Sequence, residues 1–237
     1  MSGFPPVRSP CRTAAAAVAA ALGTLVAMPA CAQREDEQLW LQVNASVPLS
    51  ETTRLTVEQI ARFGDRDGGL FQTEFGGLVS HRVGRRFEVG IGYRRVGAHG
   101  GNRAADEDRL RQQVVGNFGR LTVRLRLDER FHPDGPEIGF RLRPQLRYAV
   151  PVGTHGAALF VSHESFYLPN ATRWGQRQGY ERMRNLFGAT LPIARGLSAD
   201  IGYLNQFRPA RRGVRAQMDH ALAMQLTIRL GRDSAGR

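Results

Sequence analysis

The sequence reads Leu121-Thr122-Val123-Arg124-Leu125-Arg126-Leu127-Asp128 at residues 121–128. Apolar and polar side chains alternate at every position of this stretch, and successive side chains of a β-strand point to opposite faces. One face therefore carries leucine and valine, while the other carries arginine and aspartate. The same alternation runs through residues 138–150 and 222–230, and less regularly through 54–63, 87–94 and 197–208. No helical period runs through the chain after its first 32 residues, so the pattern predicts an all-β protein.

Extending the alternation along the chain gives a series of strands joined by connections of two kinds. We predict strands at residues 37–48, 52–64, 70–83, 86–98, 106–118, 120–132, 137–151, 156–168, 180–193, 197–210 and 216–230. Tight turns alternate with wider loops, the latter at 65–69, 99–105, 133–136, 169–179 and 209–213, as in an up-and-down antiparallel transmembrane β-barrel. Bacterial barrels usually have an even number of strands. We therefore expect about 10–12, and favour ten or twelve, with a strand hidden in a long segment or one outside the barrel.

The N-terminus has the features of a signal peptide. Arg8 and Arg12 precede an apolar run at residues 13–28, and small residues at 30 and 32 form a cleavage site. A membrane anchor needs roughly 20 apolar residues, more than this run contains, and Met28 and Pro29 do not suit lipidation of Cys31. We expect cleavage after Ala32, which divides the chain into a signal peptide at 1–32 and an outer-membrane barrel at 33–237.

Arginine supplies all of the positive charge of the chain, which contains no lysine. Arginine accounts for all 33 Lys+Arg residues against 21 Asp+Glu, giving a net charge of +12 and a pI near 11.2. Such a pI normally points first to nucleic acid. Export by the signal peptide separates the chain from chromosomal DNA, so we expect no nucleic-acid partner. Cleavage would also remove both cysteines, Cys11 and Cys31, and leave a mature chain without thiols.

The direction of the apolar face distinguishes two kinds of barrel. A soluble periplasmic β-barrel that binds a ligand would turn this face inward. The strands here are long enough to cross a bilayer, and their polar face repeatedly carries arginine, glutamate and aspartate, which suits a wet lumen. We predict the bacterial outer membrane and keep the soluble barrel as an alternative. An aromatic girdle is expected from Trp40, Tyr93, Phe131, Tyr148, Tyr167 and Phe207.

The charged residues of the polar face form a predicted charge ladder inside the barrel. Same-face residues on neighbouring strands lie close enough for ion pairs. We interpret the ladder first as a structural brace, and second as a narrow, weakly anion-selective pore or a site for small anionic solutes. Its members are Glu58, Arg62, Glu74, Glu88, Arg94, Arg111, Arg124, Arg126, Asp128, Arg130, Arg141, Arg143, Arg147, Glu164, Asp200 and Arg208.

Several short motifs recur in an order that resembles a known family. They are Trp40, Tyr93-Arg94, Arg109-Leu110-Arg111-Gln112-Gln113, Asp128-Glu129-Arg130-Phe131, Arg141-Leu142-Arg143-Pro144-Gln145 and Gly202-Tyr203-Leu204-Asn205-Gln206. Together they resemble the uncharacterised Gram-negative proteins of domain of unknown function 2490, over nearly the whole mature chain. The resemblance implies an outer-membrane barrel and no assigned activity or catalytic residues.

One segment raises the alternative of an enzyme. Residues 162–165 contain His163 and Ser165 at a strand end, which resembles the His/Ser portion of outer-membrane lipid A deacylases. A lipid A-modifying hydrolase would use Ser165 as nucleophile, His163 as base and a carboxylate such as Glu181 to orient the histidine. The four matching residues are few, so we favour polar residues at the water interface over catalysis. The histidines lack metal-ligand spacing, and we expect no metal and no cofactor.

The expected partners follow from the location. The outer-membrane lipids and lipopolysaccharide would surround the barrel, with loop arginines at 66, 103, 173, 177, 211 and 212 near the lipid phosphates. The alternation of Leu226, Ile228 and Leu230 near the C-terminus is of the kind that the barrel-assembly machinery recognises during biogenesis.

Overall fold

A computed structural model describes residues 34–153, 155–211 and 213–231. The described chain is all-β, and each strand boundary lies within three residues of its predicted position. The predicted signal peptide at 1–32 lies outside the described residues. The strands are β1 Arg34–Pro48, β2 Thr53–Gly64, β3 Gly69–Val83, β4 Phe87–Ala98, β5 Glu107–Phe118, β6 Leu121–His132, β7 Gly135–Val152, β8 Ala157–Leu168, β9 Gly179–Ala194, β10 Leu197–Arg208 and β11 Gln217–Arg229. No helix in these ranges is long and apolar enough to cross a membrane.

The eleven strands form one closed barrel in which each strand pairs with its neighbours along the chain. Every consecutive pair is antiparallel, whereas β1 and β11 close the barrel as a parallel pair, from Arg34 opposite Gln217 to Ser46 opposite Arg229. Because the chain reverses direction at every turn, the first and last strands of a barrel with an odd number of strands run in the same direction. The closing pair must therefore be parallel. The count lies within the predicted range, but the preference for ten or twelve was wrong.

The connections lie at two ends of the barrel, which we call the turn end and the loop end. The turn end holds the connection after each odd-numbered strand from β1 to β9. The loop end holds the connection after each even-numbered strand, including the longer segments 99–106, 169–178 and 209–216. The loop expected at 133–136 is shorter than predicted because β7 already begins at Gly135. The N-terminal end of β1 lies at the loop end, and β11 finishes at the turn end.

The two faces of the barrel wall differ sharply in polarity. Large apolar side chains are exposed on the outer surface, including Phe187 at 62% and Val161 at 51%, while Asp128 on the inner face has no exposed area. This orientation is opposite to that expected of a soluble barrel with an apolar interior. Buried charges are tolerated only where they are paired, so the inner face must supply its own counter-charges.

Of the six aromatic residues expected in a girdle, four are exposed on the outer surface, Phe207 is partly exposed, and Trp40 is buried. Tyr93, Phe131, Tyr148 and Tyr167 are exposed on the outer surface. Trp40 instead points inward and is only 9% exposed, with the guanidinium carbons of Arg62 and Arg184 lying 4.2 and 4.6 Å from its ring centroid. The girdle assignment of Trp40 was wrong because its position in β1 shares the inner face with Asp36, which is also buried.

The parallel closure can be tested with cysteine pairs introduced into residues 33–237, a range without cysteine in the sequence. Leu39 lies opposite Leu222 in the β1–β11 register. Neighbouring strands bring facing residues to a separation that a disulfide can bridge, so Leu39→Cys with Leu222→Cys should cross-link after oxidation. The matched control is Leu39→Cys with Leu230→Cys, which lies eight positions further along the chain, one residue after β11 ends, and about 27 Å away at roughly 3.3 Å per residue. Cross-linking of the control pair alone would contradict the parallel register; the readout is migration on a non-reducing gel.

Candidate functional site

A single layer of fully buried side chains crosses the barrel interior, and we call it the sealing layer. Its members come from six strands, and each is at most 2% exposed. Along its own strand, each of these residues has other inner-face residues on both sides, some nearer the turn end and some nearer the loop end. The sealing layer consists of Glu74, Arg111, Asp128, Phe166, Gln206 and Asp219.

Carboxylates in and beside this layer accept hydrogen bonds from two arginines each, which lie on strands other than that of the carboxylate. The Asp128 carboxylate accepts hydrogen bonds from Arg141 at 2.8 Å and from Arg143 at 3.2 Å. Arg143 also donates to Glu164 at 2.9 Å, and Arg124 donates to the same carboxylate at 2.6 Å. Charge-assisted bonds of this kind are the stronger class of hydrogen bond. This half of the interior is therefore a continuous network through β6, β7 and β8.

A second network connects β2, β3, β4 and β5. Arg94 donates to Glu74 and to Glu58, each at 2.5 Å, and Arg111 donates to Glu58 at the same distance. Arg62 forms a further ion pair with Glu74 at 2.8 Å. Since one guanidinium bonds two carboxylates on different strands, Arg94 holds three strands in register.

All members of the predicted ladder lie on the inner side of the barrel, and all but two make ion pairs there. Arg130 pairs with Glu107, Arg147 with Asp200, and Arg208 with Asp219, at distances between 2.6 and 3.0 Å. Arg126 donates instead to the side-chain amide oxygen of Gln113. Glu88 lies half-buried near the turn end and has no ion pair among the described residues.

Several inner charges were absent from the predicted ladder: Asp36, Glu107, Arg109, Glu181, Arg182, Arg184 and Asp219. Arg109 pairs with Glu107, and Arg182 with Glu181, so both pairs belong to the interior network. They stand near strand ends or beside irregular pairing, where simple alternation is hard to follow. Only Arg109 lies two residues from a predicted member, Arg111. The ladder had no member in β1, β9 or β11, the strands that carry Asp36, Arg182, Arg184, Glu181 and Asp219.

Phe166 is the only apolar member of the sealing layer, and arginines surround it. The guanidinium carbons of Arg143 and Arg184 lie 4.6 and 4.7 Å from its ring centroid, and those of Arg182 and Arg141 lie 5.5 and 5.8 Å away. The negative face of an aromatic ring attracts cations, and this attraction strengthens with desolvation. Phe166 thus holds the arginines of β7 and β9 together where carboxylates are fewer than arginines.

Two cavities occupy the interior on either side of the sealing layer. The turn-side cavity has a volume of about 400 Å³ and is lined by Trp40, Arg124, Arg126, Arg147, Phe160 and Asp200, among others. The loop-side cavity has a volume of about 330 Å³ and is lined by Arg66, Gln72, Glu107, Arg109, Arg130 and Arg208, among others. Arginine contributes to both linings, so both cavities suit anions better than cations.

A separate polar cluster lies on the outer surface of β8 and β9, close to the loop end. His163 and Ser165 follow the same outward face as Leu159 and Val161. The Ser165 Oγ lies 3.0 Å from His163 Nε2, and His163 Nδ1 lies 2.7 Å from the side-chain oxygen of Asn185. Asn185 faces His163 directly in the β8–β9 register. The Tyr180 hydroxyl lies 3.4 Å from the serine oxygen.

Glu181 does not take the role that the sequence suggested for it. Its carboxylate pairs with Arg182 and lies 3.9 Å from Arg141, inside the barrel and away from His163. The pairing of β8 with β9 is irregular here: Phe166 faces Arg182 and the next residue faces Tyr180, leaving Glu181 as the extra residue. Such a bulge breaks the strict alternation of sides. The assignment of Glu181 as the orienting carboxylate was therefore wrong.

In the described ranges, no group of three or more His, Cys, Asp or Glu side chains could hold a metal ion.

Comparisons with known proteins match the barrel region. The family model described as "Protein of unknown function (DUF2490)" matches residues 37–217. An uncharacterized protein of Methylorubrum extorquens is 32% identical over 204 residues, which cover 82% of this chain and 88% of that protein. A crystal structure of the siderophore receptor PirA from Pseudomonas aeruginosa is similar at 15% identity and a TM-score of 0.25, over 68% of this chain and 32% of the receptor.

The interior network predicts a large stability effect at its centre. Asp128→Asn keeps the side-chain shape but leaves Arg141 and Arg143 without a charged acceptor. Removing one partner of a buried ion pair typically costs about 3–5 kcal/mol, so the free energy of unfolding should fall by about that amount. Urea unfolding of the protein in lipid vesicles, followed by tryptophan fluorescence, measures the change.

The matched control is Asp106→Asn at the loop end. Asp106 pairs with Arg95 at 3.2 Å, and both side chains are about half exposed. The Ala98 backbone N–H and the Arg95 guanidinium lower the pKa of this carboxyl, but solvent screens the pair. The control should unfold like the wild type. Equal effects of the two substitutions would show that the interior pairs contribute no more than a surface pair.

Proposed function

The chain belongs to the DUF2490 family, and we propose that it is an integral outer-membrane β-barrel with a structural role and a lumen closed by ion pairs. The observation that carries this proposal is the inverted polarity of the wall. Exposed apolar side chains cover the outside, and the arginines and carboxylates lie within. In water, an apolar surface of this extent is a site of association or aggregation, whereas in a bilayer it is the lipid contact.

The barrel architecture supports the same location. With no water in the hydrocarbon core, backbone polar groups must be satisfied within the protein, and a closed barrel leaves no free strand edge. The parallel β1–β11 pair completes this closure. We further propose export by the signal peptide at 1–32, assembly by the barrel-assembly machinery, and periplasmic turns opposite extracellular loops, the arrangement usual for such barrels.

The loop end carries arginines that suit the phosphates of lipopolysaccharide. Arg173 is 88% exposed and pairs with Glu137, while Arg211 donates to backbone oxygens at Arg177 and Tyr180. Arg212, which we also expected in this group, lies outside the described residues. Arginine binds phosphate through a planar, permanently charged fork. These contacts are proposed partners of the loops, in addition to the lipids around the wall.

The proposed location is tested by fractionation of cells that produce the full chain. The protein should sediment with the outer membrane and resist extraction by carbonate or high salt. A folded barrel should migrate differently on a gel before and after boiling. Recovery in the soluble periplasmic fraction, without a heat-dependent shift, would contradict the proposal.

The closed lumen is tested by electrical recordings in planar bilayers. Because the sealing layer separates the two cavities, the wild-type protein should give no current steps above leak. Replacing Phe166 and Gln206 together by alanine removes two uncharged members of the layer and should create a small conductance. The arginine-lined cavities should make that conductance anion-selective, seen in the reversal potential. Steady anion current through the wild type would instead support the narrow-pore alternative.

A further inference from the structure

We propose that Ser165, His163 and Asn185 form a hydrolytic site on the outer wall, acting on ester-linked acyl chains of membrane lipids. The inference rests on the membrane location proposed above and adds an activity to it. It does not depend on the lumen, because the three side chains point away from the interior.

The three side chains have the connectivity of a nucleophile, a base and a group that orients the base. A serine hydroxyl is a weak nucleophile until a neighbouring base accepts its proton, and His163 Nε2 is 3.0 Å from Ser165 Oγ. The Asn185 side-chain oxygen, 2.7 Å from Nδ1, accepts a hydrogen bond from that nitrogen. This bond keeps the proton on Nδ1 and leaves the Nε2 lone pair directed at the serine. Asn185 is therefore a positioning residue.

The two threonine–histidine pairs among the described residues lack the third member. Thr73 Oγ1 lies 2.7 Å from His99 Nε2, and Thr53 Oγ1 lies 3.0 Å from His81 Nδ1. Within the described residues, neither histidine has a second side-chain partner that fixes its tautomer. Polar contacts of interfacial side chains account for those two pairs. The cluster at Ser165 differs by having an oriented base.

The charge network inside the barrel gives the outer cluster a rigid support. Glu164 lies between His163 and Ser165 in sequence and points to the opposite face, where Arg143 and Arg124 bind it. Glu164 also faces Arg184 in the register, next to the His163–Asn185 pair. Sites on strands that are fixed from behind hold geometry better than sites on loops. The same two strands thus carry ion pairs inside and the proposed site outside.

The surroundings of the cluster identify the substrate class. Ser165 lies three residues before the loop end of β8, beside the exposed Tyr167 and Tyr180, at the level of an interfacial aromatic girdle. Toward the turn end, the outer surface continues with exposed Val161 and Phe187. An acyl chain would lie along these apolar residues with its ester at the serine. This arrangement fits a lipid with a buried tail and an interfacial ester.

The proposed reaction transfers an acyl group to the serine and then to water. Ser165 Oγ attacks the ester carbonyl carbon while its proton moves to His163 Nε2. The C–O bond to the alcohol breaks, and the leaving oxygen takes the proton from the histidine. Water then attacks the acyl-serine, with His163 again as base, and releases a fatty acid and the free hydroxyl. The Tyr180 hydroxyl, 3.4 Å from Ser165 Oγ, can donate a hydrogen bond to the carbonyl oxygen as its charge develops.

The experiment uses the purified, detergent-folded chain, whose heat-dependent gel shift is recorded for every variant. One arm supplies diacyl phosphatidylethanolamine in mixed micelles, and the other supplies purified lipopolysaccharide. Fatty acid release is measured by mass spectrometry, and a fluorophosphonate probe reports serine reactivity. Release from one substrate alone distinguishes phospholipid from lipid A as the source of the acyl ester.

The variants separate catalysis from structure. Ser165→Ala should reduce release and labelling to background, and His163→Ala should reduce the rate by about 10²–10⁴-fold. Asn185→Ala should slow both readouts at least tenfold, whereas Asn185→Asp should restore them because its oxygen still accepts from Nδ1. Thr73→Ala is the matched control and should leave both rates unchanged.

The experiment distinguishes failure of the proposed hydrolytic site from failure of the proposed membrane barrel. A wild-type protein that shows the heat-dependent shift but neither hydrolyses either lipid nor labels at Ser165 would overturn this inference alone. Activity that survives Ser165→Ala would overturn it as well. A wild-type protein without the shift would contradict the proposed membrane barrel, and with it a lipid-directed site.

Discussion

Sharing of buried carboxylates among arginines of different strands is the interaction on which the rest of this structure depends. Glu58, Asp128 and Glu164 each bind two arginines, and most of these bonds cross from one strand to another. In the proposed membrane location, the outer surface would not stabilise the barrel through the hydrophobic effect as a water-facing core would, since lipid tails are themselves apolar. The interior must therefore provide specific contacts, and here ion pairs provide them.

An excess of arginine over carboxylate on the inner face explains the other buried groups. Gln113 accepts from Arg126, and Gln206 accepts from Arg184 while donating to Asp219. Phe166 accommodates further guanidinium groups against its ring. Amides and an aromatic ring thus contact the arginines where carboxylates are missing.

The periodicity of the sequence was enough to locate the strands and to assign most inner charges. The apolar and charged faces alternate without interruption in β6, so Arg124, Arg126 and Asp128 were assigned correctly to one face. Trp40 was misplaced because the first strand was predicted to begin at residue 37, whereas β1 begins at Arg34, so that Trp40 lies in the middle of the strand on its inner face. Glu181 was misplaced because a bulge leaves no mark in the residue pattern.

Contacts between strands are the part of the candidate site that cannot be predicted from a single sequence. His163 and Ser165 stand out within one strand, but Asn185 is twenty-odd residues away and becomes their neighbour only through the β8–β9 register. The parallel pairing of β1 with β11 likewise cannot be read from either strand's own sequence. It follows from the odd number of strands. In the proposed membrane barrel, a closed lumen would leave the outer wall and the loops as the surfaces that meet lipid and the exterior. Because alternate residues of β8 face opposite sides, the charge that fixes Glu164 inside also fixes the positions of His163 and Ser165 outside. A substitution in the interior network would therefore alter the geometry of the outer cluster without replacing any residue of that cluster.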